Sequence, residues 1–345
     1  MKKSLVIFTS FLVSSFLFSG CNRSSKNTVS NQPEEITVYT YDSFISEWGP
    51  GPKIAEKFEK SSGIKVNFVD CGDGVQLLSR AILEKNNVQA DIILGLDNNT
   101  APKAISQDIL SSYKPKNSES VIPESLFSQL GESNLLTPYD YSHFALIFNT
   151  QSNLPEPKSL SDLTNPVYKN KIILMDPRTS TPGLGFVAWT RSIFSDDDSF
   201  INFWTLLKSN LLTMAPGWSA GYGLFTAGEA PLVISYTTSP AANLEYDKID
   251  YYKALVFDEG HYIQVEGAGI LKNAPHRKAA ELFMDFLISE EAQSELPLTQ
   301  WMYPANSLVV LPDCYEKAAV IPAKTVTTDV EKLDSVVEKV MTLLQ

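Results

Sequence analysis

From Ile36 onward the chain alternates two hydrophobic periods, and this alternation restricts the fold more than any other feature. ITVYTY (36–41), IKVNFVD (64–70) and ADIILGL (90–96) have strand character, while PKIAEKFEKS (52–61) and GVQLLSRAILEKN (74–86) between them have helical spacing. Ile64, Val66 and Phe68 alternate with polar residues, and Leu77, Leu78, Ala81 and Ile82 share one helix face. Strand, helix, strand, helix, strand in this order requires parallel pairing with helical crossovers, hence an α/β fold. Each strand is followed by polar residues: Tyr41, Asp42 and Ser43, then Asp73 and Gly74, then Asp97, Asn98 and Asn99. Ligands of open α/β sheets sit at the carboxyl ends of the strands, so these clusters predict one rim facing a cleft. Asp73, just before a helix, also reads as an N-cap, and the two roles are compatible.

A second block repeats the pattern. PYDYSHFALIFN (138–149) and KIILMD (171–176) read as strands, DPRTSTPG (176–183) as a tight loop, LGFVAWTRSIF and FINFWTLLKSN as helices, and PLVISY (231–236) as a strand. Two strand-like pieces then flank Glu259 and Gly260, followed by the amphipathic helix HRKAAELFMDFLIS and a last helix, EKLDSVVEKVMTLLQ. A chain of 345 residues exceeds one core. The simplest architecture is two α/β lobes joined by extended crossovers near Tyr139–Phe148 and His261–Gly267, with a cleft between them that hinge motion closes. The expected boundaries are residues 36–138 with 262–298 for lobe I, and 139–261 with 299–345 for lobe II.

The N-terminus reads as an address. Lys2 and Lys3 precede an apolar run from Leu5 to Phe18, then Ser19, Gly20 and Cys21, which predicts a signal peptide over 1–20 and lipidation at Cys21 in the manner of a lipobox. Phe18 and Leu17 depart from the usual lipobox pattern. Residues 21–35 then form a polar tether. The formal charge of −12 becomes about −14 once residues 1–20, with two lysines and no acid, are removed. Nucleic acid is excluded as a partner on that balance. Cys71 and Cys314 make no metal motif and leave pairing open.

The chemistry concentrates between Pro216 and Pro240, PGWSAGYGLFTAGEAPLVISYTTSP. Trp218, Tyr222 and Tyr236 stand beside glycines and small hydroxyls, a composition that suits a flat ligand and, for a cationic ring, offers cation–π attraction. Any one of these rings reads equally well as core. Thr179, Ser180 and Thr181 precede a helix, where free N–H groups bind anions or simply cap. GWSAG (217–221) matches the G-x-S-x-G elbow of hydrolases, with Ser219 as nucleophile. Against that reading, NLLTMAP before it ends in proline and makes a poor strand, no oxyanion loop precedes it, and Asp258 and His261 lie only three apart. A ferric carrier would use Tyr251, Tyr252 and His261, although alternate strand faces separate the two tyrosines.

The strings TVYTYDSF…WGPGP, DGVQLLSR, ADIILGLDNN, DPRTSTPGLG, GWSAGYGLF, SYTTSP, EGHYIQVE and WMYP, in this order and at these spacings, resemble the thiamine-binding periplasmic components of bacterial ABC importers. The likeness runs from about Thr37 to Pro304. It implies a two-lobed, hinge-closing, type II periplasmic-binding-protein-like fold and a non-enzymatic carrier without cofactor. The carrier would take thiamine, thiamine monophosphate or thiamine diphosphate to a membrane permease, as a monomer on the periplasmic or cell-surface side. Carried over, Asp73 and Gly74 are a ligand-contacting pair, Ser180 and Thr181 phosphate-side hydroxyls, and Trp218 a ring contact. Tyr236, Thr237, Thr238 and Ser239 form a binding segment, Trp301 is a further wall, and Tyr41 is a contact from the first strand end. Where the family often places a second aromatic after YTTS, this chain has Ala241 and Ala242. Ferric iron or a polyamine remains the alternative cargo, and a secreted serine hydrolase using Ser219 the alternative class.

Overall fold

A computed structural model describes residues 35–131 and 133–345. The predicted signal peptide, Cys21 and most of the tether lie outside the described residues. Twelve strands organise them: β1 Glu35–Thr40, β2 Lys65–Asp70, β3 Ile92–Asp97, β4 Leu110–Ser111, β5 Thr137–Asn149, β6 Ile172–Met175, β7 Leu211–Ala215, β8 Leu232–Tyr236, β9 Tyr252–Ala254, β10 His261–Leu271, β11 Tyr303–Pro304 and β12 Thr325–Val326. The main order is β2-β1-β3-β10-β5-β8-β6-β7. β1 pairs in parallel with β2 and β3, as the βαβαβ spacing requires. β10 then runs antiparallel to β3 and to β5.

Two long strands carry the chain between two cores. The first half of β5 pairs with β10 through His143, and the second half, Phe144 to Phe148, pairs with β8. On the β1–β3 side, Phe58 and Phe283 anchor one face of the sheet, and Leu77, Leu78 and Ala81 anchor the other. On the β6–β8 side a separate core gathers Phe186, Trp189, Phe200 and Trp204. Helix Gly74–Leu83 packs on β3, and helix Thr181–Ile193 packs on β5, β6, β8 and β10.

Two readings need correction. NLLTMAP is a strand: Leu211–Ala215 pairs in parallel with β6, and Pro216 falls just beyond its end, where it interrupts no ladder bond. The loop DPRTSTPG is shorter than expected, because the helix begins at Thr181 with Pro182 in its first turn, where proline's missing N–H has no partner to lose. Cys71 and Cys314 are free thiols.

Candidate functional site

Asp73 sits where two sides of the molecule meet. It caps helix Gly74–Leu83 in a capping box with Gln76, because its extended backbone turns the carboxylate back over the first free N–H groups. The same carboxylate reaches across to two other helix starts. Oδ1 accepts from Gly74 N at 2.6 Å, Thr181 N at 2.9 Å and Thr181 Oγ1 at 2.9 Å. Oδ2 accepts from Ser180 Oγ at 2.9 Å and Trp218 N at 3.0 Å. Helix N-termini carry partial positive charge, so three of them converging on one anion is favourable. Glycine makes the approach possible: a Cβ at Gly74 would lie 2.7 Å from Thr181 Oγ1, and one at Gly217 would lie 3.1 Å from Asp73 Oδ2.

Beside this junction lies a cleft lined mainly by aromatic rings with a few small polar and acidic side chains among them. Trp218 forms one wall, its ring stacked on Tyr222 at 5.0 Å and 15° and its Nε1 donating to Ser235 Oγ at 2.8 Å. Ser235 and Ser239 share a 2.7 Å hydroxyl contact, which fixes both. Tyr236, at the end of β8, stacks on Phe144 and donates to Gln264 Oε1 at 3.0 Å. Trp301 is backed by Tyr315 at 6.3 Å and 11°, and meets the edge of Tyr246 at 5.4 Å. Its φ of 59° lies in the left-handed region, sparsely populated by bulky L-residues, so packing holds this ring in place against backbone preference.

Of the residues singled out in the sequence, Tyr41, Asp73, Thr181, Trp218, Tyr236, Ser239 and Trp301 line the cleft. Gly74 and Ser180 belong to the Asp73 junction behind it. Thr237 and Thr238 are fully buried, and their hydroxyls meet Ser142 at 3.4 and 3.1 Å. Sequence reasoning did not single out Trp48, Glu266, Gln300 or Met302, which also line it. Trp48 comes within 6.2 Å of Trp218, and Ala242 occupies the wall where an aromatic was expected. The WGPGP string contains the signal for Trp48. EGHYIQVE likewise ends on Glu266, although a single acid in an alternating strand reads as an exposed face. No Lys, Arg or His is among the lining residues.

The elbow and iron readings fail on geometry. Ser219 lies beside Asp42, whose carboxyl is raised by burial and held back by the serine hydroxyl. His261 faces no serine: its Nδ1 is 2.8 Å from Phe144 O and its Nε2 accepts from Phe257 N at 2.7 Å, and burial lowers its pKa. Both ring nitrogens are thereby committed to backbone, so neither is free for iron beside Tyr251 and Tyr252. The described residues contain no group of three or more His, Cys, Asp or Glu placed to hold a metal ion.

The sequence matches the family described as bacterial extracellular solute-binding protein over residues 50–294. The chain belongs to the bacterial extracellular solute-binding proteins. Within this family it is 42% identical over 273 residues to a thiamine-binding periplasmic protein of Brucella abortus, covering 79% of this chain and 80% of the relative. It is 38% identical over 283 residues to the thiamine-binding periplasmic protein of Escherichia coli K12, covering 82% and 84%. A solved structure of a periplasmic thiamin binding protein superposes with a TM-score of 0.83 at 34% identity, covering 92% of this chain and 98% of that one. The solute-binding protein is therefore α/β with the two-lobed periplasmic-binding-protein fold, and its relatives are carriers rather than enzymes.

Proposed function

We propose that this solute-binding protein captures thiamine in the cleft between its two sheet halves and delivers it to an ABC permease from the periplasmic side. One observation carries the reading: the cleft lining combines several aromatic rings with two acids, Asp73 and Glu266, and no basic side chain. Such a lining suits a flat cation. Thiamine has a fixed thiazolium charge and two planar rings, so Trp218, Tyr236, Tyr41 and Trp301 offer stacking, with roughly 0.5–2 kcal/mol of cation–π attraction per well-placed face. Lobe I would comprise residues 36–138 and 262–298 and lobe II 139–261 and 299–345, closing about β5 and β10.

Phosphate esters enter the same cleft on this reading, through Ser180, Thr181 and the N–H of Trp218. Those donors are already bonded to Asp73. Thiamine itself is therefore expected to bind tightest, followed by the monophosphate and the diphosphate. Calorimetric titration of unfolded and refolded protein with each compound tests this. One-to-one binding in that order supports the assignment, and absence of heat with all three overturns it. Ser219→Ala is expected to leave thiamine affinity within about twofold, as a substitution outside the lining should. Lost binding would return Ser219 to the functional site.

A further inference from the structure

The antiparallel register of β5 and β10 sets Asp140 opposite Glu266, and the register of β3 sets Asp97 on the other flank. Directly opposed residues project to one face of a sheet, so the two carboxyls of β5 and β10 meet. Both are buried, Glu266 at 4% exposure and Asp140 at 0%. Glu266 Oε2 accepts from Tyr41 OH at 2.9 Å and Tyr139 OH at 3.1 Å. Neither oxygen of Asp140 has a donor among the described residues. A dehydrated carboxylate without a donor is strongly disfavoured, so Asp140 keeps its proton and turns it toward Glu266. Burial first, then the charge of Glu266, pushes Asp140 well above the usual carboxylate range. Burial also raises Glu266, to about 7, against the hydrogen bonds from Asp140, Tyr41 and Tyr139 that hold it down. Asp97 is engaged otherwise, by Asn99 and Thr100 in its own turn.

Glu266 lines the cleft with Gln300, whose Nε2 donates to Tyr41 OH and whose Oε1 is a buried acceptor without a partner among the described residues. The lining thus holds two acceptor-bearing side chains, Glu266 and Gln300, joined through the Tyr41 hydroxyl. The group that complements them is a planar amine with two N–H donors.

Resting on the thiamine reading, we propose that Glu266 is the specificity-determining residue for the amino-substituted ring of the cargo, accepting one amino N–H while Gln300 accepts the other. Glu266 must then be ionised in the complex. Below its ionisation the pair holds two protons, one of which has to leave on binding, so affinity falls on acidification and levels off above neutrality. The facing titratable groups are Asp140 and Tyr139 from β5, Asp97 from β3, Tyr41 after β1, and Asp73 and Tyr236 across the cleft. Burial keeps the three tyrosines phenolic throughout that window.

The test compares thiamine with its 4′-deamino analogue by calorimetry at about pH 8 and about pH 5.5, in buffers of different ionisation heat. Wild type is expected to prefer thiamine by about tenfold at the higher pH and to lose that preference, with proton release, at the lower. Glu266→Gln, an acceptor that cannot ionise, should show the same preference at both pH values, with melting curves confirming the fold. Asp140→Asn, whose amide mimics the protonated acid, should keep the preference. A preference in Glu266→Gln that still falls between the two pH values, or a preference lost in a folded Asp140→Asn, overturns the proposal. Wild type binding both compounds equally at about pH 8 also overturns it while leaving the thiamine reading intact. Wild type binding neither defeats the thiamine reading and this proposal with it.

Discussion

Replacing Asp73 with alanine is expected to lower thiamine affinity by about a hundredfold, equivalent to roughly 2.7 kcal/mol. The effect follows from where the carboxylate sits. Of its five donors, only Gly74 N belongs to its own helix, and Ser180 Oγ, Thr181 N, Thr181 Oγ1 and Trp218 N come from the other side of the junction. A hydrogen bond to a charged group is worth roughly 1.5–3 kcal/mol, but donors that regain water on opening return part of that. On the proposed closure about β5 and β10, the loss therefore falls on the closed form. Removing the cap also weakens helix Gly74–Leu83 by about 1 kcal/mol, which a melting curve measures separately. The substitution frees all five donors for a phosphate, so thiamine monophosphate should lose less than thiamine and overtake it. Calorimetry on both compounds checks this. Thiamine affinity within about threefold of wild type would show that the junction does not govern closure.

That role for Asp73 was half legible. Its place before a helix announced the cap, and its place after a strand announced the rim. Nothing local showed that one carboxylate would serve three helix starts, because Thr181 and Trp218 are brought there by a sheet order that reverses at β10 and β5. The βαβαβ block was readable from period alone, since β1 to β3 alternate with two amphipathic helices of ordinary length. Thr237 and Thr238 were harder. Contiguity with Tyr236 and Ser239 groups them with the cleft, yet the turn after β8 aims their hydroxyls at Ser142. Glu266 closes the string EGHYIQVE, but its burial was unreadable because it depends on Asp140, Tyr41 and Tyr139, which only register and topology place around it. The positive φ of Trp301 likewise leaves no mark on WMYP.

Trp218→Ala is expected to weaken thiamine binding by about thirtyfold, or roughly 2 kcal/mol, from cation–π attraction together with lost apolar contact. The substitution isolates the ring. Alanine keeps the backbone N–H that donates to Asp73, so the junction survives, while the stacked face over Tyr222 and the Nε1 bond to Ser235 are removed. Trp218→Phe separates these two contributions: it retains a face and gives up only the indole donor, and its effect should stay within about fivefold. Trp48 supplies the control. It is 50% exposed and meets Trp218 at a tilt of 57°, so it is a rim ring already wet on one side, and Trp48→Ala should cost less than Trp218→Ala. Titration calorimetry of the three variants against wild type reads the order directly. A Trp218→Ala protein that binds within about threefold of wild type would remove the ring from the ligand's path. A larger loss for Trp48→Ala than for Trp218→Ala would move the thiazolium to the outer ring and leave Trp218 a supporting role through its N–H alone.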